Sequence, residues 1–118
     1  MQTIIIVEDQ PDIANNIKRK LDKYHVYIFN TIKSYEHKHA DLYIVDIMLE
    51  KKSFSLIKQI RGRTSSPIVI LTWYDDEKTI KKIEESWWDI HFDKLVNPNI
   101  LIHRLEGILR ICNRCKND

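Results

Sequence analysis

The stretch that decides the fold is IIIVEDQPD at residues 4–12, in which four β-branched apolar residues pass directly into two acids and a proline. A second stretch, DLYIVDIML at residues 41–49, places Asp46 directly after another short apolar run. Runs that are apolar throughout suit strands that are covered on both faces, as in parallel sheets. Both stretches therefore predict buried parallel strands that are followed at once by acidic residues.

Segments of strand and helix character alternate outward from these two stretches. The predicted strands are short β-branched runs at Thr3–Val7, Val26–Phe29, Leu42–Val45, Ile68–Leu71 and Ile90–Phe92. The intervening apolar spacing is helical, and these helices open with a cap or an N1 proline near Pro11, Ser53, Asp75 and Asn97. The remaining connection, Thr31–His37, allows a short second helix of about two turns. Since parallel neighbours need right-handed crossovers, we predict an α/β fold, (βα)5, with a doubly wound five-stranded parallel sheet.

Composition limits the classes of protein to which the chain can belong. Its 118 residues are 43% hydrophobic, which suits one domain over residues 1–118 with a single compact core. A net charge of +2 argues against nucleic-acid binding by bulk charge, so we expect no direct nucleic-acid contact. The apolar runs are too short to span a membrane, and Glu8-Asp9 interrupts the position of a secretion signal. Two cysteines cannot form a disulfide framework, and a cytoplasmic location is the natural expectation.

Polar side chains stand at the ends of four predicted strands: Glu8, Asp9, Asp46, Thr72 and Lys94. Ligands of doubly wound sheets bind beyond these ends. Three neighbouring carboxylates repel one another unless a hard cation such as Mg²⁺ neutralises them. A hydroxyl and an ammonium can bind phosphoryl oxygens while an aspartate acts as nucleophile. Each residue alone has a structural explanation, as a cap, a strand residue or a solvated charge, but their joint placement predicts Mg²⁺-dependent phosphoryl transfer to Asp46.

From Met1 to about Ile111 the chain resembles the receiver domains of two-component response regulators. The resemblance rests on the two stretches quoted above, on PIVILT at residues 67–72, and on Lys94 at the family's usual interval from Thr72. It implies a flavodoxin-like receiver fold and a sensor histidine kinase that phosphorylates Asp46. It also implies that Thr72 binds a phosphoryl oxygen, that Lys94 pairs with the phosphate, and that Mg²⁺ is held by Asp9, Asp46 and the Met48 carbonyl, with Glu8 acting through water.

The segment NPNILIHRL at residues 97–105 resembles the last helix of receivers that precede winged-helix DNA-binding domains. The chain is therefore either a stand-alone receiver or the receiver part of a longer transcription regulator. Several positions depart from the family pattern, among them residues 73, 91 and 95. Trp73 replaces a small residue, so we expect it to narrow the entrance to Asp46. Leu95 replaces a proline, so we expect a trans Lys94–Leu95 peptide and an ammonium displaced from Asp46. His91 stands where the family usually has Tyr or Phe.

Two functions remain open from the sequence. The first is a receiver that accepts a phosphoryl group and then shifts its fourth helix and fifth strand. The second is a phosphorylation-independent pseudo-receiver that mediates dimerisation or another protein interaction. In either case a homodimer can form through the fourth helix, fifth strand and fifth helix, with Trp87 or Trp88 as an anchor. A turnover phosphatase would need an acid where Met48 stands, so we predict a signalling domain and not an enzyme.

Overall fold

One parallel sheet forms the centre of the computed structural model, which describes residues 2–47, 51–72, 81, 89–94 and 96–117. Its five strands in the described residues are β1 (Thr3–Val7), β2 (His25–Phe29), β3 (Leu42–Asp46), β4 (Ile68–Thr72) and β5 (Ile90–Asp93). The helices described are α1 (Pro11–Lys20), α2 (Lys51–Arg61) and α3 (Pro98–Asn117). The strand order is β2-β1-β3-β4-β5, and every neighbouring pair is parallel. The predicted doubly wound α/β fold is confirmed.

Successive side chains of β1 point to opposite faces of the sheet and divide the core into two layers. Ile4 and Ile6 pack with apolar residues of α1 and α3. Ile5 and Val7 pack on the other face with apolar residues of α2. All four side chains are fully buried, and each stabilises the fold by about 1.5–3 kcal/mol. This two-sided packing explains why β1 reads as an unbroken apolar run, and it holds the carboxyl end of the strand in a fixed place.

The helix starts agree with the sequence signals at two of the three described helices. Pro11 stands in the first turn of α1, and the Asn97 side chain accepts a hydrogen bond from the Asn99 N–H at 2.9 Å before α3. Ser53 is not a cap, because α2 begins at Lys51 and Ser53 is buried inside it. The helix expected after Asp75 lies outside the described residues. Within the described part of the chain, α3 and the other helices fall short of the length and apolar character that a membrane span needs.

The predicted short second helix over Thr31–His37 is wrong, because this connection between β2 and β3 forms turns instead. The Thr31 hydroxyl accepts from the Ser34 N–H at 3.0 Å, and the Ser34 hydroxyl donates to the Thr31 carbonyl at 2.8 Å. Such bonds from side chain to backbone compete with helical ones. Ile32 and Tyr35 pack against the α2 side of the core from these turns, which therefore cover the sheet in place of a helix.

Tyr43 secures the far end of this connection. The Tyr43 ring is fully buried under it. Its hydroxyl donates to the Lys38 carbonyl at 2.7 Å and accepts from the Ala40 N–H at 3.1 Å. One phenol therefore satisfies two backbone groups just before β3 begins.

We expect Tyr43→Phe to lower the free energy of unfolding by about 1–3 kcal/mol, since the buried Ala40 N–H loses its phenol acceptor. The matched control is Tyr35→Phe, whose hydroxyl contacts His37 at the surface and whose removal should cost less than about 0.5 kcal/mol. Urea unfolding of the two variants measures the difference. Equal losses of stability would show that the Tyr43 hydroxyl does not support the connection.

Candidate functional site

The candidate site lies where the strand order reverses, between the neighbouring carboxyl ends of β1 and β3. Glu8 follows β1 directly, and its N–H donates to the Phe29 carbonyl at 3.0 Å. Asp46 is the last residue of β3 and stands in register with Leu71 of β4. Because the strand ladders hold both backbones, the two acids are placed by the sheet itself. Open α/β sheets bind their ligands at this switch point.

Lys94 reaches both acids from the opposite side. Its N–H donates to the Thr72 carbonyl at 2.8 Å, which extends the pairing of β4 with β5 by one residue. Its Nζ lies 2.9 Å from Glu8 Oε1 and 2.8 Å from Asp46 Oδ1. The expected displacement of the ammonium from Asp46 is therefore wrong. The backbone pairing of Lys94 with Thr72 fixes its position independently of residue 95. Residue 95 and the Lys94–Leu95 peptide, which we expect to be trans, lie outside the described residues.

Three carboxylates converge at this site. One ligand oxygen from each of Glu8, Asp9 and Asp46 lies within 4.8 Å of the other two. Glu8 and Asp46 are buried, whereas Asp9 is exposed. Among the described residues, Glu8 Oε2 and Asp46 Oδ1 are buried without a hydrogen-bond partner. Asp46 Oδ1 is paired with the Lys94 ammonium at 2.8 Å. Buried oxygens of this kind fit a hard divalent cation.

The pKa values report the same excess of negative charge. Burial, together with the nearby Asp9 and Glu8 carboxylates, raises the pKa of Asp46 to about 8, although Lys94 opposes the rise. Burial also raises the pKa of Glu8, against the lowering effect of Lys94. The pKa of Asp9 is lowered, chiefly by its interaction with the Asp46 side chain. Two buried carboxylates therefore share one buried ammonium, and without a further cation Asp46 ionises only as the pH rises through about 8.

The remaining predicted site residues divide into those that the structure describes and those that it does not. Thr72 ends β4 and is buried, one residue beyond the register partner of Asp46. Met48 and Trp73 lie outside the described residues. The structure adds Gln10, whose Oε1 accepts from Lys94 Nζ at 3.3 Å, and Asn30, whose side-chain amide donates to the Glu8 carbonyl at 3.3 Å. The position of Gln10 between the acids and Pro11 was the one sequence signal for its presence here.

Comparison with known proteins decides the family. The model of the response regulator receiver domain matches residues 4–106. The chain belongs to this family of receiver domains. It is 25% identical over 114 residues to response regulator RR06 of Streptococcus pneumoniae, covering 91% of the chain and 52% of the relative. It is 27% identical over 120 residues to heme response regulator HssR of Staphylococcus aureus, covering 96% and 54%.

The receiver also resembles solved structures. The BeF3-activated N-terminal receiver domain of Klebsiella pneumoniae RstA is 30% identical, with a TM-score of 0.80 over 92% of this chain and 98% of that one. The chain spans about half the length of the curated relatives RR06 and HssR. Receivers are the response-regulator part of two-component systems, which work with histidine kinases.

We expect the metal-free receiver to lose stability as the pH rises. The raised pKa of Asp46 means that its contribution is fully present below its ordinary pKa and is lost as the pH rises through about 8. Asp46→Asn removes this loss and should raise the free energy of unfolding by roughly 1–3 kcal/mol at about pH 9, but by less at about pH 5.

Urea unfolding in EDTA at both pH values measures the effect. Asp22→Asn is the matched control, because Asp22 is an exposed acid in the turn after α1. The same dependence on pH in the two variants would show that Asp46 is not the source of the loss of stability.

Proposed function

We propose that this receiver accepts a phosphoryl group on Asp46 from the phosphohistidine of a sensor histidine kinase, in a reaction that depends on Mg²⁺. One observation carries the proposal: the buried Asp46 carboxylate stands at the switch point of the sheet, 2.8 Å from the buried ammonium of Lys94. A nucleophile with a cation fixed beside it can accept a phosphoryl group whose negative charge that cation then balances.

The transfer forms a bond between an Asp46 carboxylate oxygen and phosphorus while the bond from phosphorus to the donor imidazole nitrogen breaks. The electron pair of the broken bond leaves with the imidazole. Lys94 pairs with a phosphoryl oxygen and balances its charge. The Thr72 hydroxyl, at the end of the neighbouring strand, binds another phosphoryl oxygen. Positioning and charge balance thus account for most of the catalysis expected of such a site.

The residues that would hold Mg²⁺ are Asp9, Asp46 and the Met48 carbonyl, with Glu8 acting through water. The support from the structure is the convergence of the three carboxylates and the two buried oxygens that lack hydrogen-bond partners among the described residues. A bound Mg²⁺ supplies the positive charge that offsets the carboxylates and the incoming phosphoryl oxygens. The buried Asp46 carboxylate then stays ionised and nucleophilic at neutral pH.

The consequence of phosphorylation is a signal passed to other parts of a regulator. We propose that the new negative charge on Asp46 acts electrostatically on Lys94 and, through Lys94, on β5 and the elements that follow it. A homodimer through the helix expected after Asp75, β5 and α3 remains part of this proposal. Its proposed anchors, Trp87 and Trp88, lie outside the described residues. We propose in addition that the receiver is cytoplasmic, that it switches transcription, and that it signals without catalytic turnover.

Phosphorylation is tested by intact-protein mass spectrometry after incubation with Mg²⁺ and phosphoramidate, a small donor with a P–N bond. The wild type should gain the mass of one phosphoryl group, and Asp46→Asn should gain none. EDTA should slow the gain by at least about tenfold, since an uncompensated charge cluster of this kind costs more than about 1.4 kcal/mol. A folded wild type that gains no mass would support the pseudo-receiver instead.

Magnesium binding is tested by thermal unfolding in MgCl₂ against NaCl of equal ionic strength. At tenfold excess over its dissociation constant, Mg²⁺ should stabilise the wild type by about 1.4 kcal/mol and raise the unfolding midpoint by a few degrees. Asp9→Asn, which removes an exposed ligand, should lose the shift, whereas Asp22→Asn should keep it. Equal shifts in the two variants would place the bound cation somewhere else.

A further inference from the structure

Gln10 links three parts of the site. Its Oε1 accepts from Lys94 Nζ at 3.3 Å, and its backbone N–H donates to Glu8 Oε1 at 3.1 Å. The same Glu8 oxygen accepts from Lys94 Nζ at 2.9 Å. Gln10, Glu8 and Lys94 therefore form a closed triangle of hydrogen bonds beside Asp46.

The backbone of Gln10 is held firmly. Its carbonyl accepts from the N–H groups of Ile13 and Ala14, both at 3.1 Å, and Pro11 follows it in the first turn of α1. Its side chain makes no capping hydrogen bond. The start of α1 therefore fixes the backbone position from which the Gln10 side chain reaches Lys94.

The Lys94 ammonium needs such support. A lysine ammonium stands at the end of a flexible four-carbon stem and has three N–H donors. Its position is therefore fixed by the acceptors that hold it. Oxygens of Glu8, Asp46 and Gln10 lie within 3.3 Å of Nζ. Of these residues, Gln10 alone is exposed, whereas the Lys94 side chain is 1% exposed. Of these three acceptors, Gln10 is therefore the one that meets solvent.

We propose that Gln10 is a positioning residue, which holds the Lys94 ammonium at Asp46 for phosphoryl transfer. The inference rests on the proposed function. When the Asp46 carboxylate bonds to phosphorus, its contact with Lys94 changes, but Glu8 and Gln10 still hold the ammonium. Gln10 thereby limits the movement of Lys94 at the moment when its charge is needed.

The test compares Gln10→Met with Gln59→Met. Methionine keeps the size of the side chain and removes its oxygen, and Gln59 is an exposed glutamine of α2. In metal-free protein without a donor, the ¹H–¹⁵N signal of the Lys94 ammonium should broaden in Gln10→Met, because its protons exchange faster with water. It should stay sharp in Gln59→Met and return in Gln10→Glu, which restores an acceptor. The rate of phosphorylation by phosphoramidate should fall roughly threefold in Gln10→Met alone, as expected for one partly exposed charged hydrogen bond.

The midpoint of thermal unfolding of Gln10→Met should match that of the wild type. A lowered midpoint would reveal a structural defect that is separate from the loss of the Lys94 contact, and it would contradict the proposal. An unchanged ammonium signal overturns the inference, and so does a broadened signal with an unchanged rate of phosphorylation. A wild type that gains no phosphoryl group overturns the proposed function instead. The ammonium signal still decides the Gln10–Lys94 contact in that case, because it is read without phosphorylation.

Discussion

The pairing of one buried ammonium with two buried carboxylates is the constraint around which this end of the molecule is arranged. Lys94, Glu8 and Asp46 are each almost fully removed from solvent, and isolated charges in such a place would be very costly. The packing of the sheet offsets that cost. Apolar side chains on both faces of β1 and β3 hold the backbones that carry Glu8 and Asp46, and the backbone of Lys94 is hydrogen-bonded to β4. One ammonium cannot balance both carboxylates when they are ionised, and this makes the site receptive to a further cation.

Much of the fold follows from local patterns that act over a few residues. The runs at Thr3–Val7 and Ile68–Leu71 lie in strands that match them to within one residue, because a strand buried on both faces leaves an unbroken apolar signature. The strand ends could be predicted for the same reason: once the strands are parallel, Glu8 and Asp46 must lie at one edge. The grouping of the acids with Thr72 and Lys94 could therefore be predicted from the sequence, although no distance between them could.

What the sequence could not predict depends on contacts between distant segments. The Thr31–His37 connection is long enough for a short helix, but the reciprocal bonds of Thr31 with Ser34 favour turns. The position of the Lys94 ammonium depends on the backbone hydrogen bond of Lys94 with Thr72 of β4 and not on Leu95. Gln10 carries no motif of its own, and its contact with Lys94 spans most of the chain.

The connection between β2 and β3 is tied at both ends and exposed between them. The Thr31–Ser34 bonds secure its start, and the Tyr43 hydroxyl secures Lys38 and Ala40 near its end. Glu36 and His37, between these ties, face solvent. A peptide tag or fluorophore inserted there would lengthen a surface loop at little entropic cost. The loop thus offers a labelling site from which the receiver can be followed without altering the strand ends.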